Sequence, residues 1–261
     1  MTPNPTPTLP DTADTLSIDP RHNGPRTSGN GGWVAGALAR RLVRQAGAPV
    51  VSVALRAPVP LGRPLPLRFQ PDGALALLDG DTVVAEAAPA SLDLAVPAAP
   101  ADGEAEAAGL AARLRHQQRG LGDPYAHCFV CGFARPDGLG VIVGPVGGPG
   151  DDSGLMATTW VPPADLAGAD GLLTPEATWA ALDCPAGMAW SHRLGRSASI
   201  MTVRMTVAID QPLAPGARYR VLAWPLQRDG RKLHAGTAIV DAGGVVRARS
   251  RQLWLLPREA G

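Results

Sequence analysis

Three polar side chains in the second half of this sequence stand where the surrounding pattern asks for apolar ones. Asp183 follows Trp179 and Leu182 in a run from Ala177 to Ser191 that is otherwise uncharged. Met201, Val203, Met205, Val207 and Ile209 alternate along one apolar strand face. Period two puts Ser199 on that inward face, while Thr202, Arg204 and Thr206 point out. In the last strand-like run Val246, Ala248, Trp254 and Leu256 mark an inner face that also takes Gln252, with Arg247, Arg249 and Arg251 outside. Burying an unpaired polar group costs roughly 1–3 kcal/mol, and a charge costs more. Each residue has a local remedy: a backbone N–H for Asp183, a strand end for Ser199, a turn for Gln252. Together they make a water-activating set, in which the carboxylate accepts the proton of a water that the hydroxyl and amide orient.

Other candidate chemistries are thinner. Cys128-x-x-Cys131, with His127 and Cys184 as further ligands, has the residue types of a zinc site. No second Cys-x-x-Cys or His-x-x-x-His pair exists to close a four-ligand shell, so the reading assigns no metal. A thioredoxin-like role lacks its βαβ context. Cys184 has no His/Asn partner that would make it a nucleophile and reads as a small buried hydrophobe. His22, His116, His192 and His234 stand alone, although His22, in the loop before the first helix, is placed to reach a cleft.

The elements that must position these residues follow from capping and periodicity. Asn30 is a good N-cap for a helix in which Val34, Leu38 and Leu42 recur every four residues, stopped by Gly47 and Pro49. Strand-like runs follow at 50–57, 64–69, 74–78 and 82–87, with Pro71-Asp72-Gly73 and Asp79-Gly80 as turns. Residues 97–124 shift to Ala, Glu and Arg, a linker with a surface helix at 104–119. A strand at 155–161 precedes a second apolar helix, with Thr174 as N-cap, Pro175 in its first turn and Glu176 at its positive end. Pro185 predicts a kink or an end to that helix. Strands at 199–209, 218–226, 233–240 and 245–256 complete the chain. One buried helix followed by antiparallel strands therefore occurs twice, which predicts a duplicated α+β unit. The expected divisions are a flexible Pro/Thr-rich tail at 1–15, a first unit at 16–97, the linker at 98–124 and a second unit at 125–261.

Length and charge bound the function. The chain has 261 residues, enough for one large or two small domains, with a formal net charge of +1. That balance gives no global attraction to nucleic acid or to an anionic membrane. Three cysteines make no disulfide framework, the first residues read as no signal peptide, and no run approaches the ~20 apolar residues of a membrane span. The expected location is cytoplasmic.

The order and spacing of these residues resemble the hotdog-fold thioesterase superfamily, specifically tandem (double-hotdog) proteins of the acyl-CoA thioesterase II type. The resemblance covers most of residues 16–257. In that family the catalytic trio is an Asp on the second central helix, a Ser/Thr at the start of the next strand and a Gln in the last strand; the matching positions are Asp183, Ser199 and Gln252. Ser199 departs from the Thr common in the family. Asn30-Gly31-Gly32-Trp33 is similar to the Gly-Gly start of the first helix, and Cys128-Phe129-Val130-Cys131-Gly132 resembles an opening found in many single-hotdog thioesterases. The first helix has the glycines and no acid, the second the acid and no glycines, which implies one composite site between two hotdog units.

The resemblance implies an acyl thioester hydrolase acting on acyl-CoA or a carrier-bound acyl thioester. It implies no cofactor beyond the coenzyme A of the substrate, and it allows a homodimer of double hotdogs. The oxyanion would be held by backbone donors at Gly31-Gly32 or by the Gln252 amide. Asn30, Gly31, Gly32, Trp33, Trp179 and Met188 are the expected substrate contacts. Two arginine clusters, Arg113/Arg115/Arg119 and Arg247/Arg249/Arg251, read as solvated faces, either of which could meet coenzyme A phosphates. The alternative from another class is a non-catalytic acyl-CoA or lipid-binding protein that keeps the polar trio as a ligand anchor. A third is an enzyme using the same cleft for thioester chemistry other than hydrolysis.

Overall fold

A computed structural model of the chain describes residues 14–47, 49–148, 151–195 and 200–258. The first half runs β1 (Thr15–Ser17), α1 (Gly31–Ala46), β2 (Val50–Leu55), β3 (Pro64–Phe69), β4 (Leu75–Asp79) and β5 (Thr82–Pro89). Helix α2 (Asp102–Gln117) and the short β6 (Gly144–Pro145) follow. The second half runs β7 (Met156–Trp160), α3 (Pro175–Arg193), β8 (Met201–Ile209), β9 (Tyr219–Asp229), β10 (Lys232–Asp241) and β11 (Val246–Leu255). All strands join one 11-stranded sheet in the order β1-β3-β4-β5-β2-β8-β11-β10-β9-β7-β6. Every neighbouring pair in it is antiparallel. Strand–helix–four strands therefore occurs twice with the same internal order, and the halves meet where β2 pairs β8, with Val51 opposite Val207 and Val53 opposite Met205.

The expected caps form. The Asn30 side chain accepts the Trp33 N–H at 2.9 Å, and Gly47, at φ 65°, closes α1 in the left-handed conformation that glycine tolerates. Val34, Leu38 and Leu42 are buried on one face of α1. Thr174 accepts from the Ala177 N–H to start α3. The break expected at Pro185 is absent: α3 continues to Arg193. Proline leaves the Ala181 carbonyl without its helical donor, but Leu182 and Ala186 on either side of it are fully buried, and the Gln252 amide of β11 donates to the adjacent Leu182 carbonyl at 2.6 Å. Burial and that tie hold the turn.

The two central helices lie against each other through glycine. A Cβ on Gly32 would stand 2.6 Å from Asp183 Cβ and 2.7 Å from the Trp179 carbonyl oxygen, and one on Gly36 would stand 2.7 Å from Glu176 Cα. The contact therefore runs antiparallel, Gly32 facing residues 179–183 and Gly36 facing 176–179. Arg40 on α1 pairs with Glu176 at 2.9 Å beyond it.

Helix α2 is more than a linker element. Ala105, Gly109 and Ala112 form a buried small-residue face, and a Cβ on Gly109 would overlap the Thr158 side chain on β7. The predicted tail lies outside the described residues through residue 13; its end does not hang free, since Thr15 pairs with Pro66 in the sheet.

Candidate active site

Asp183 is 2% exposed, at the meeting of three elements. Its Oδ1 accepts the Thr202 hydroxyl of β8 at 2.7 Å. Its Oδ2 accepts the Gly32 N–H from the first turn of α1 at 2.9 Å and the Asn30 side-chain amide at 3.1 Å. Burial pushes the carboxyl up to about 6, against the pull of the Thr202, Gly32 and Asn30 hydrogen bonds and the positive end of α1. An acid poised near neutrality can take a proton and later return it.

The carboxylate borders a cavity of about 940 Å³. Asn30, Gly31, Leu55, Met188, Thr202 and Trp254 stand on its wall beside Asp183. Arg56, Arg115, Arg119 and His192 also line it, with His116, which burial and the nearby Arg119 push down to about 4, so it is neutral at pH 7. Of the two arginine clusters, Arg115 on α2 and Arg119 just past its end reach the cavity. Arg247 binds Asp241 and Gln211, and Arg249 binds Asp210.

Several expected residues are placed differently. Ser199 lies outside the described residues, and the hydroxyl on Asp183 belongs to Thr202, which strict alternation turned outward. A β-bulge explains the inversion. Leu253 pairs with Arg204 and Trp254 with Thr202, so Val203 is an extra residue on β8. Beyond it the phase flips: Thr202 turns in and Met201 is 55% exposed. Nothing in the sequence marks the bulge, since the apolar alternation from Met201 to Ile209 runs unbroken through Val203.

Gln252 is inward and 1% exposed, as its strand phase requires, but it is a brace. Its amide nitrogen donates to the Leu182 carbonyl and to Thr237 Oγ1 at 3.0 Å, and its oxygen accepts the Trp254 indole N–H at 2.9 Å. Both amide donors are engaged, so neither is free for an oxyanion. The Gly32 N–H, taken by Asp183, is likewise unavailable. Gly31 is on the cavity wall, and among the described residues its N–H makes no hydrogen bond.

Of the expected substrate contacts, Met188, Asn30 and Gly31 line the cavity, and Gly32, Trp33 and Trp179 do not. Trp33 stacks on His22 with ring centroids 3.5 Å apart and meets Phe129 edge-on, while Trp179 packs under Gly36. Both rings are committed to the helix contact and the loop over it. His22 is drawn into this same cluster, and burial pushes it down to about 4.

The three cysteines converge on the cavity wall, their sulfurs within 4.8 Å of one another; His127 is not in the group. Among the described residues no helix is long and apolar enough to cross a membrane.

No protein-family model and no curated protein matches the chain. Solved structures do. A protein from Alicyclobacillus acidocaldarius described as having a hot dog fold superposes with a TM-score of 0.62 at 13% identity, covering 94% of this chain and 93% of its own. This chain has the hotdog fold. The tesB protein of Mycobacterium avium paratuberculosis is similar at a TM-score of 0.59 and 12% identity, over 96% of this chain and 91% of that one. An acyl-CoA thioesterase II from Mycobacterium marinum is similar at 0.56 and 12%, over 88% and 91%.

Proposed function

We propose that this chain hydrolyses acyl thioesters, acyl-CoA being the favoured form, at a single site shared by two tandem hotdog units. The observation that carries the reading is the buried Asp183 carboxylate on a cavity wall, tied by hydrogen bonds to the helix start of one half and to a hydroxyl of the other. A carboxylate has about four acceptor positions; Asp183 uses three, and the free one is on Oδ1 beside Thr202. A water there donates one proton to Oδ1 and is steered by the Thr202 oxygen. As it attacks the thioester carbonyl its proton passes to Asp183, the C–S bond breaks, and the thiolate leaves with the proton returned by Asp183 or solvent. The oxyanion is held by the Gly31 N–H at the positive end of α1. The apolar wall accepts the acyl chain, and Arg115 and Arg119 meet coenzyme A phosphates.

Two substitutions test these roles. Thr202→Val keeps the shape and removes the hydroxyl, so kcat for thiol release falls by about 10²-fold with KM nearly unchanged. Gly31→Pro suits the first position of a helix and replaces the N–H with a ring carbon, lowering kcat by about 10²–10³-fold. Gly31→Ala places the same Cβ against Leu55 at 3.0 Å while keeping the donor, and serves as the steric control. Equal losses in both Gly31 variants would remove the oxyanion role. The complete internal bonding of Gln252 favours a second reading, in which the cavity binds an acyl-CoA or lipid without turnover. A non-hydrolysable thioether analogue that binds while no thioester is cleaved would support it.

A further inference from the structure

Cys184 lies more than fifty residues from Cys128 and Cys131, with no spacing that ties it to them. The fold places it. Cys128 and Cys131 sit in the loop between α2 and β6, Cys184 on α3, and Cys128 Sγ is 3.8 Å from Cys184 Sγ. With bonds of about 2.3 Å, tetrahedral zinc holds its sulfur ligands about 3.8 Å apart. All three sulfurs fall within 4.8 Å of one another before any ligand draws them in.

The loop is shaped to present sulfur. The Gly132 N–H returns to the Cys128 carbonyl at 2.8 Å, folding the Cys-x-x-Cys segment into a tight turn. A Cβ on Gly132 would stand 2.7 Å from the Cys128 nitrogen, so the turn needs glycine there.

We propose that Cys128, Cys131 and Cys184 bind one thiophilic metal ion of the zinc class, with three thiolate ligands and a fourth coordination position facing the cavity. The open position takes water or a small soft ligand, because all three cysteines line that cavity and no fourth His, Cys, Asp or Glu joins the cluster among the described residues. Binding displaces thiol protons into the medium, so uptake is accompanied by proton release. The site stands independently of thioester hydrolysis.

The test is a cobalt(II) titration of the full-length, reduced, chelator-treated protein under anaerobic conditions. Near-ultraviolet sulfur-to-cobalt charge transfer with intense tetrahedral visible bands should saturate at one ion per chain, release protons to an indicator, and be displaced by zinc. Cys184→Ser should weaken cobalt binding by at least about 10²-fold. If that variant does not fold, the wild-type protein still decides the matter, since zinc should slow alkylation of all three thiols in step with its stoichiometric uptake. Absence of the charge-transfer band, a band unchanged in Cys184→Ser, or alkylation rates indifferent to zinc would each overturn the proposal.

Discussion

Asp183→Asn abolishes thiol release and leaves a more stable protein. The amide keeps every contact of the carboxylate: its oxygen accepts from Gly32 N–H and Asn30, and its nitrogen donates to Thr202 Oγ1. It cannot take a proton from water, so kcat falls by about 10³-fold, within the range for loss of a general base. The stability gain follows from linkage. Burial raises the folded carboxyl to about 6, above the roughly 3.9 of an unfolded aspartate. The stability contributed by that raised value is fully present below about pH 4 and lost as pH rises through 6. The advantage of the amide therefore grows between pH 4 and 6 and levels off near 2–3 kcal/mol, to order of magnitude. Thermal melts of both proteins at pH 4.5 and 7.5, about one and a half units either side of the transition, read it, and a variant less stable at the higher pH contradicts the electrostatic origin.

Gly32→Ala is expected to cost about 3 kcal/mol or more, beyond most one-carbon overpacking changes. Its new carbon would meet Asp183 Cβ, the Trp179 carbonyl at 2.7 Å and Ala180 Cα at 2.8 Å, two of them backbone atoms that cannot rotate away. Relief requires separating α1 from α3. That separation also draws the Gly32 N–H away from Asp183, so stability and thiol release fall together. A drop in melting midpoint of about 6–12 °C corresponds to that cost. An unchanged midpoint would mean the helices do not approach through this glycine.

The features legible in the sequence are local ones. Asn30 and Thr174 cap the helices they were expected to cap, and the strand at 64–69 has the predicted bounds, because caps, turns and alternation act over a few residues. Asp183 was legible because a lone acid in an apolar helix has few explanations. Thr202 was not, since its inward turn depends on one extra residue in β8 that is set by pairing with a strand about fifty positions later. The continuation of α3 past Pro185 was also hidden, because the burial and the Gln252 contact that hold that turn come from strands far along the chain. Trp33 and Trp179 were misplaced for a related reason: composition marks them as apolar, and only packing shows whether they face the cavity or the neighbouring helix. The joining of the halves through β2 and β8 has no sequence marker beyond two apolar strands of matching phase.

The most direct test of the central claim is a thiol-release time course with the wild-type protein over short-chain, long-chain and aromatic acyl-CoAs, with Asp183→Asn as the parallel reaction. The account predicts multiple turnovers on at least one member of the panel and none above background with the variant. Cleavage at equal rates by both proteins, or tight acyl-CoA binding with no thiol released from any member, would contradict it.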